Sequence, residues 1–399
     1  MSVTEQKFEV TGFQAGGIAA GIKEDGRKDL ALLYSEVPAK AAGVFTTNAF
    51  KAAPVLLDME RIRSGTARAV IVNSGNANAA TGEEGYRDAV KMARFCAGAL
   101  SIEEAQVLVA STGVIGRKFP IDKVAGSVSR LVQGLSHGGI PEAAEAIMTT
   151  DRYPKIQYRE GAVGGSDVCI CGIAKGAGMI EPGMATLLSF VLTDADIDDQ
   201  AMKRALREAV DQSFNAISVD GCMSTNDTVL LLANGLAGNR KIRTATRDYT
   251  VFAAMLTGVM TELAKMIVRD GEGATKLIEI AVEGARTAGD ARAVAYQIAR
   301  SNLVKTAFYG GDPNWGRILS AAGAAGVALD PAAVELTFDG LPLFRQGQGI
   351  SSHLQELAEV MKKDHIRVVV KLGRGAKSFR VFSSDLTLEY VKINAHYTT

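Results

Sequence analysis

The stretch from Lys175 to Asp194, KGAGMIEPGMATLLSFVLTD, places a hydroxyl where it could cut its own chain. A glycine-rich loop (Gly176, Gly178, Gly183) stiffened by Pro182 runs into Thr186–Thr193, whose bulky and β-branched residues read as a buried strand. Ala185 offers little side chain to obstruct attack on its carbonyl, and the glycines permit backbone angles that other residues resist. If Thr186 attacks the Ala185 carbonyl, the peptide becomes an ester that water can split. Thr186 would then be a new N-terminus whose α-amine, titrating near pH 8, can take the hydroxyl proton. The residues alone equally admit a Gly/Pro turn feeding a core strand, with Thr186 as a mere β-former.

Other chemistry is sparser. None of the four histidines, His137, His353, His365 and His396, lies in a loop of catalytic character, and no G-x-S-x-G elbow is present. A nucleophile carrying its own base needs neither. In VLVASTGVIG, Val107 to Gly116, the small residues Ser111-Thr112-Gly113 would leave backbone N–H groups exposed at a strand end, as an oxyanion hole requires. A simple strand-ending turn is the other reading. Glu272, between two glycines in RDGEGATK, puts a carboxylate on an exposed tight loop. The polar loop Ser224–Asp227 could line a site or satisfy its own turn.

Several motifs fail on inspection. RDGEGATK lacks the G-x-x-x-x-G-K-[ST] spacing, and NSGNANAATG lacks G-x-G-x-x-G. Asp194, Asp196, Asp198 and Asp199 suggest a calcium loop, but no glycine follows the third acid and Ala205 stands where a closing glutamate belongs. Acids opening a helix from about Asp198 to Gln212 explain them better. Cys169 and Cys171 alternate along a strand-like run and read as core thiols; with Cys96 and Cys222 they make a poor disulfide framework.

The elements that must hold these residues read as α/β. Glycine reaches 42 of 399 residues, and short strands alternate with alanine-rich helices. Strands are expected at 8–10, 18–21, 30–34, 42–46 and 69–72, and helices at 83–100, 141–148, 198–212, 249–269 and 290–302. The last part, 330–399, reads as a strand-rich unit with one helix at 354–363. Lys+Arg and Asp+Glu balance at 44 each, so nucleic acid and anionic membrane surfaces are poor partners. With no signal-peptide pattern and no apolar run of about 18 residues, a soluble cytoplasmic protein is expected.

KGAGMIEPGMATLLSF, STGVIG, NSGNANAATG, the TTD at 149–151, DGEGATK, GGDPNWGRI and the ending INAHYTT together resemble the ornithine acetyltransferase family of arginine biosynthesis. Its members are also called bifunctional glutamate N-acetyltransferase/amino-acid acetyltransferase. The matches run in order from about residue 10 to the C-terminus. The resemblance implies an α/β/β/α sandwich related to self-processing aminopeptidases, with a smaller α+β C-terminal domain. It implies cleavage at Ala185-Thr186 into an alpha chain, 1–185, and a beta chain. The beta chain would complete the sandwich over 186–285 and form the C-terminal domain over 286–399. Two such pairs would assemble as a heterotetramer.

By the same resemblance Thr186 is the nucleophile, Thr112 and Gly113 form the oxyanion hole, and Thr149, Lys175, Thr186, Glu272, Asn394 and Thr399 bind substrate. Thr186 would take acetyl from N-acetylornithine, release ornithine, and pass the acetyl group to glutamate as N-acetylglutamate. No metal or cofactor is implied, and acetyl-CoA stays open as a second donor. Lys175 would meet a carboxylate and Glu272 the ornithine ammonium; on the residues alone both could be solvated loop charges. Cys222-Met223 departs from the acid and threonine that the family pattern would place there. The rivals are a self-processing aminopeptidase or amidase, which passes its acyl group to water, and a non-catalytic ligand-binding α/β module.

Overall fold

The computed structural model describes residues 8–181 and 187–396. The first elements are β1 (Phe13–Ile18), β2 (Leu30–Phe45), α1 (Ala53–Arg61), β3 (Thr66–Asn76), α2 (Gly82–Leu100), β4 (Val107–Val114), α3 (Ile121–Gln133), α4 (Ile140–Ala146), β5 (Lys155–Val163) and β6 (Ser166–Lys175). After residue 187 come β7 (Leu188–Thr193), α5 (Asp199–Gln212), β8 (Ile217–Ser218), β9 (Thr228–Ala233) and α6 (Arg247–Arg269). The C-terminal part holds β10 (Leu277–Ala285), α7 (Ala288–Ala299), α8 (Asn302–Tyr309), α9 (Trp315–Gly323), β11 (Glu335–Phe338), β12 (Leu341–Arg345) and β13 (Gln348–Gly349). It closes with α10 (Leu354–Lys362), β14 (His365–Lys371), β15 (Lys377–Ser384) and α11 (Leu388–His396).

The first sheet runs β4-β3-β2-β9-β7-β6-β5, with β1 added beside β2. Its inner strands β7 and β9 are buried on both faces, and period-two alternation decides what each face meets. Val70, Val72, Leu108 and Ala110 from one half share a core with Phe190, Leu192, Leu230 and Leu232 from the other. Their neighbours Ala69, Ile71 and Val109 face α1, α2 and α3, whereas Val191, Val229 and Leu231 face α5 and α6. The result is four layers, helix, sheet, sheet, helix, made from one hydrogen-bonded sheet folded over. β2 makes the turn: Leu30–Tyr34 pair with β3, Lys40–Phe45 pair with β9, and the register slips between Tyr34 and Ala39. This is the expected α/β/β/α sandwich.

Among the described helices, α6 alone has the length and apolarity to cross a bilayer. It is a core helix here: Phe252, Met255, Leu256, Val259, Met260, Leu263 and Ile267 are buried against β5 and β6, at the positions its periodicity predicts. Each such side chain contributes roughly 1.5–3 kcal/mol of burial. Thr246 caps its first turn by accepting from the Tyr249 N–H. Asp198 caps α5 and Asp199 pairs with Lys40, so the acidic run is a helix start.

Several expectations need correction. The strands at 30–34 and 42–46 are one long strand, because β2 has to span both layers. Residues 8–10 and 19–21 fall outside β1. The last seventy residues hold a second helix, α11, and α9 opens at Trp315 with Asn314 as its cap. The second sheet runs β13-β12-β11-β14-β10-β15-β8 and so includes β10 and β8 beside the strands of the C-terminal part.

Candidate active site

β3 and β4 run parallel and end level with each other, Gly75 opposite Gly113 and Ser74 opposite Thr112. Gly113 has φ +133°, and a Cβ there would lie 2.3 Å from the Gly75 carbonyl carbon, so no other residue fits. That close approach turns Thr112 and Gly113 into one wall of a cavity of about 130 Å³. Thr149 follows α4, Lys175 ends β6, Glu272 follows α6, and Asn394 comes from α11; all line the same cavity. Every predicted site residue among the described ones is therefore gathered in one place, from segments far apart in the chain. Ala185, Thr186 and Thr399 lie outside the described residues. The chain resumes at Leu187, and Leu188 pairs with the cavity-lining Lys175.

The two charges are not solvated loop charges. Lys175 is 3% exposed, and its ammonium donates to Thr112 Oγ1 at 3.4 Å and stands 3.9 Å from Asp151. Burial pulls its pKa below the ordinary lysine value, opposed first by the Asp151 charge. Glu272 is half-buried and accepts from Asn394 Nδ2 at 2.8 Å. Its backbone N–H is tied to the Ala177 carbonyl, which sets the loop.

Four acids, Asp151, Asp270, Asp220 and Asp227, hold this arrangement. Asp151 accepts from the Thr149 N–H, the Gly176 N–H and Lys155 Nζ at 3.0, 2.7 and 2.7 Å. Burial alone would raise its pKa, but the Lys175 and Lys155 charges outweigh that and hold it well below the carboxylate range. Lys155 also meets Asp270 at 2.6 Å, and all three side chains are fully buried. Asp220 accepts from the Met179 and Ile180 N–H groups, fixing the chain that leads toward Pro182. Asp227 accepts from the Leu187 N–H at 3.0 Å. Burial pushes its pKa well above the carboxylate range, and its Oδ2 finds no partner among the described residues.

The loop at 224–227 both satisfies its own turn and lines the cavity. Ser224 Oγ accepts from the Asn226 N–H, while Asn226 Nδ2 donates to the Ala77 and Ser111 carbonyls at 2.6 and 2.8 Å. The polar run Ser-Thr-Asn-Asp was the only sequence signal for this role, and it is shared with ordinary turns. Cys222 opens onto the cavity as well.

Comparison with known proteins gives one consistent answer. The ArgJ family model matches residues 14–399. The arginine biosynthesis bifunctional protein ArgJ of Geobacter sulfurreducens is 49% identical over 98% of this chain and 100% of its own. That of Syntrophotalea carbinolica is 48% identical over 98% of this chain and 100% of its own. The crystal structure of arginine biosynthesis bifunctional protein ArgJ from Bacillus halodurans superposes with a TM-score of 0.51 at 40% identity. It covers 52% of this chain and 98% of that chain.

Proposed function

The chain belongs to the ArgJ family of arginine-biosynthesis acyltransferases, and from that premise we propose a self-cleaving acetyltransferase that moves acetyl from N2-acetyl-L-ornithine to L-glutamate through Thr186. The observation that carries this reading is the single cavity holding Thr112, Gly113, Thr149, Lys175, Glu272 and Asn394 beside the start of β7.

In processing, Thr186 Oγ attacks the Ala185 carbonyl carbon and the peptide nitrogen becomes an amine; water then hydrolyses the ester, leaving a carboxylate on Ala185. In turnover, Oγ attacks the acetyl carbonyl while the α-amine takes the hydroxyl proton and returns it to the departing ornithine nitrogen. Thr112 Oγ and the Gly113 N–H receive the developing oxyanion; one such donor is typically worth about 3–4 kcal/mol, or 10²–10³ in rate. Glutamate then takes the acetyl group from the threonine ester. Lys175 serves the α-carboxylate both substrates carry, Glu272 the ornithine ammonium, and Thr149, Asn394 and Thr399 complete the pocket. The scheme draws on the chain's own side-chain, backbone and α-amino groups, and acetyl-CoA could load the same threonine.

Cleavage would not separate the halves. In the sheet order, strands from before the cut (β4, β3, β2) are followed by two from after it (β9, β7), then two from before it (β6, β5). The half-length Bacillus halodurans chain, matched over 98% of itself, supports such a cut. Two of these interleaved pairs would form the heterotetramer, in the cytoplasm.

N-terminal sequencing and an acetyl-transfer assay test this together. Two pieces are expected, the second beginning Thr-Leu-Leu-Ser, with transfer to glutamate exceeding hydrolysis. Thr186→Ala is expected to stay whole and inactive. An uncut wild-type chain at full activity, or acetyl passed mainly to water, overturns the reading.

A further inference from the structure

Lys175 is buried at the end of β6, and one of its hydrogen bonds runs to a catalytic hydroxyl. An ammonium has only donors, so in that contact Thr112 Oγ1 must accept. A hydroxyl that accepts from lysine still has its own proton to give, and Thr112 lines the cavity. We propose that Lys175 is a positioning residue for Thr112: its ammonium donates to Oγ1, so that the hydroxyl proton is left to meet the oxyanion. The buried Asp151–Lys155–Asp270 set fixes that ammonium. This inference rests on the acetyl-transfer reading above.

The supporting geometry is a chain of alternating charge. Arg152 Nε meets Asp270 at 2.8 Å, Asp270 meets Lys155 at 2.6 Å, Lys155 meets Asp151 at 2.7 Å, and Asp151 faces Lys175 at 3.9 Å. Asp151 is also held by the Gly176 and Thr149 N–H groups, so it cannot swing away from Lys175 without breaking both. The same carboxylate thereby places the backbone next to Lys175 and the backbone of Thr149. Glu272 adds negative charge toward Lys175, Asp227 adds it only when ionised, and Lys155 opposes it. Lys23 is a further cation within its field.

The charge matters because a neutral lysine reverses the bond. A deprotonated amine has a lone pair and can accept the Thr112 hydroxyl proton, which turns that proton away from the oxyanion. Burial pulls Lys175 toward this neutral form, and Asp151 is the largest opposing influence. Activity that needs charged Lys175 is lost as pH rises through its pKa. Removing the Asp151 charge lowers that pKa, so the alkaline fall should come at lower pH.

The test is a double-mutant cycle on the self-cleaved enzyme, read as kcat and KM separately. Lys175→Met and Thr112→Val are each expected to lower kcat by about 10²-fold, the loss of one oxyanion donor. The double variant should fall no more than about threefold below the worse single variant, because both changes remove the same interaction. Lys175→Met should raise KM in both backgrounds, through the substrate carboxylate. Costs in kcat that multiply overturn the proposal.

The pH profile is the second readout. Asp151→Asn should bring the alkaline fall of kcat to lower pH. Thr112→Ser, which keeps the hydroxyl, should retain the fall, and Thr112→Val should abolish it. An alkaline fall that persists in Thr112→Val, or stays in place in Asp151→Asn, sinks the proposal. Failure here leaves wild-type acetyl transfer intact, whereas failure of the acetyl-transfer reading removes it.

Discussion

The backbone N–H of Leu187 donates to the buried carboxyl of Asp227 at 3.0 Å. It ties the residue that precedes β7 to the loop that also holds β4. The adjacent Asn226 donates to the Ser111 carbonyl at 2.8 Å, one peptide before Thr112. Two consecutive side chains thus clamp β7 and β4 to one loop. Their spacing is set by a single peptide unit.

Asp227 should act as a neutral acceptor. Its folded-state pKa is raised, first by burial, so its protonated form is favoured on folding. The stability it contributes is complete below the unfolded value near 4 and is lost as pH rises through the folded value. Asp227→Asn keeps an acceptor and removes the titration, so kcat should stay within about threefold and unfolding free energy should fall less between pH 5 and 9 than in wild type. Asp227→Ala leaves the Leu187 N–H unpaired and should cost about 1–3 kcal/mol. Urea unfolding across that pH range decides it; an Asn variant with unchanged pH dependence contradicts the neutral assignment.

Two glycines of the site should respond differently to alanine. A Cβ on Gly178 would lie 2.5 Å from the Glu272 carboxyl carbon, the far end of a flexible side chain. Gly178→Ala should therefore fold normally but displace that carboxylate, raising KM for acetylornithine about tenfold, or about 1.4 kcal/mol. A Cβ on Gly113 meets backbone at a φ of +133°, so Gly113→Ala should lose stability as well as rate. Thermal melts with steady-state kinetics separate the cases. Equal losses of melting temperature would contradict the assignment of the Gly178 contact to a side chain that can give way.

The charge set below the cavity should be expensive to break. Lys155→Met leaves Asp151 and Asp270 facing each other across a fully buried gap. About 3–5 kcal/mol of stability should be lost at neutral pH. The Asp151 pKa is depressed, so its contribution is present above the unfolded value near 4 and lost as pH falls through the folded one. The gap between variant and wild type should accordingly narrow on acidification. A methionine variant as stable as wild type at pH 7 would show that the ion set does not hold the fold together there.

Much of this was legible from local signals. The α6 stripe from Phe252 to Ile267 is buried as its spacing predicts, because one helix face decides its own packing. The acid that caps α5 was legible in the same way, whereas Thr112, Gly113, Lys175, Glu272 and Asn394 stood out only through the motifs they belong to. The helices α1, α3, α8, α9 and α11 were missed. α11 shows why: no residue of it is buried, so no apolar stripe marks it, although it delivers Asn394 to Glu272.

By itself the sequence determined the family and the motif residues that line the cavity, Thr112, Gly113, Lys175, Glu272 and Asn394. Only tertiary structure decided which groups control them. Asp151, Asn226 and Asp227 act on partners 25 to 149 residues away along the chain. Hydrogen bonds and buried charges depend on distance in space and on exclusion of water, and neither is written in local spacing. Folding β2 across both layers brings those partners within 3 Å of one another, and the same burial that makes Lys175 costly to charge makes Asp151 necessary beside it.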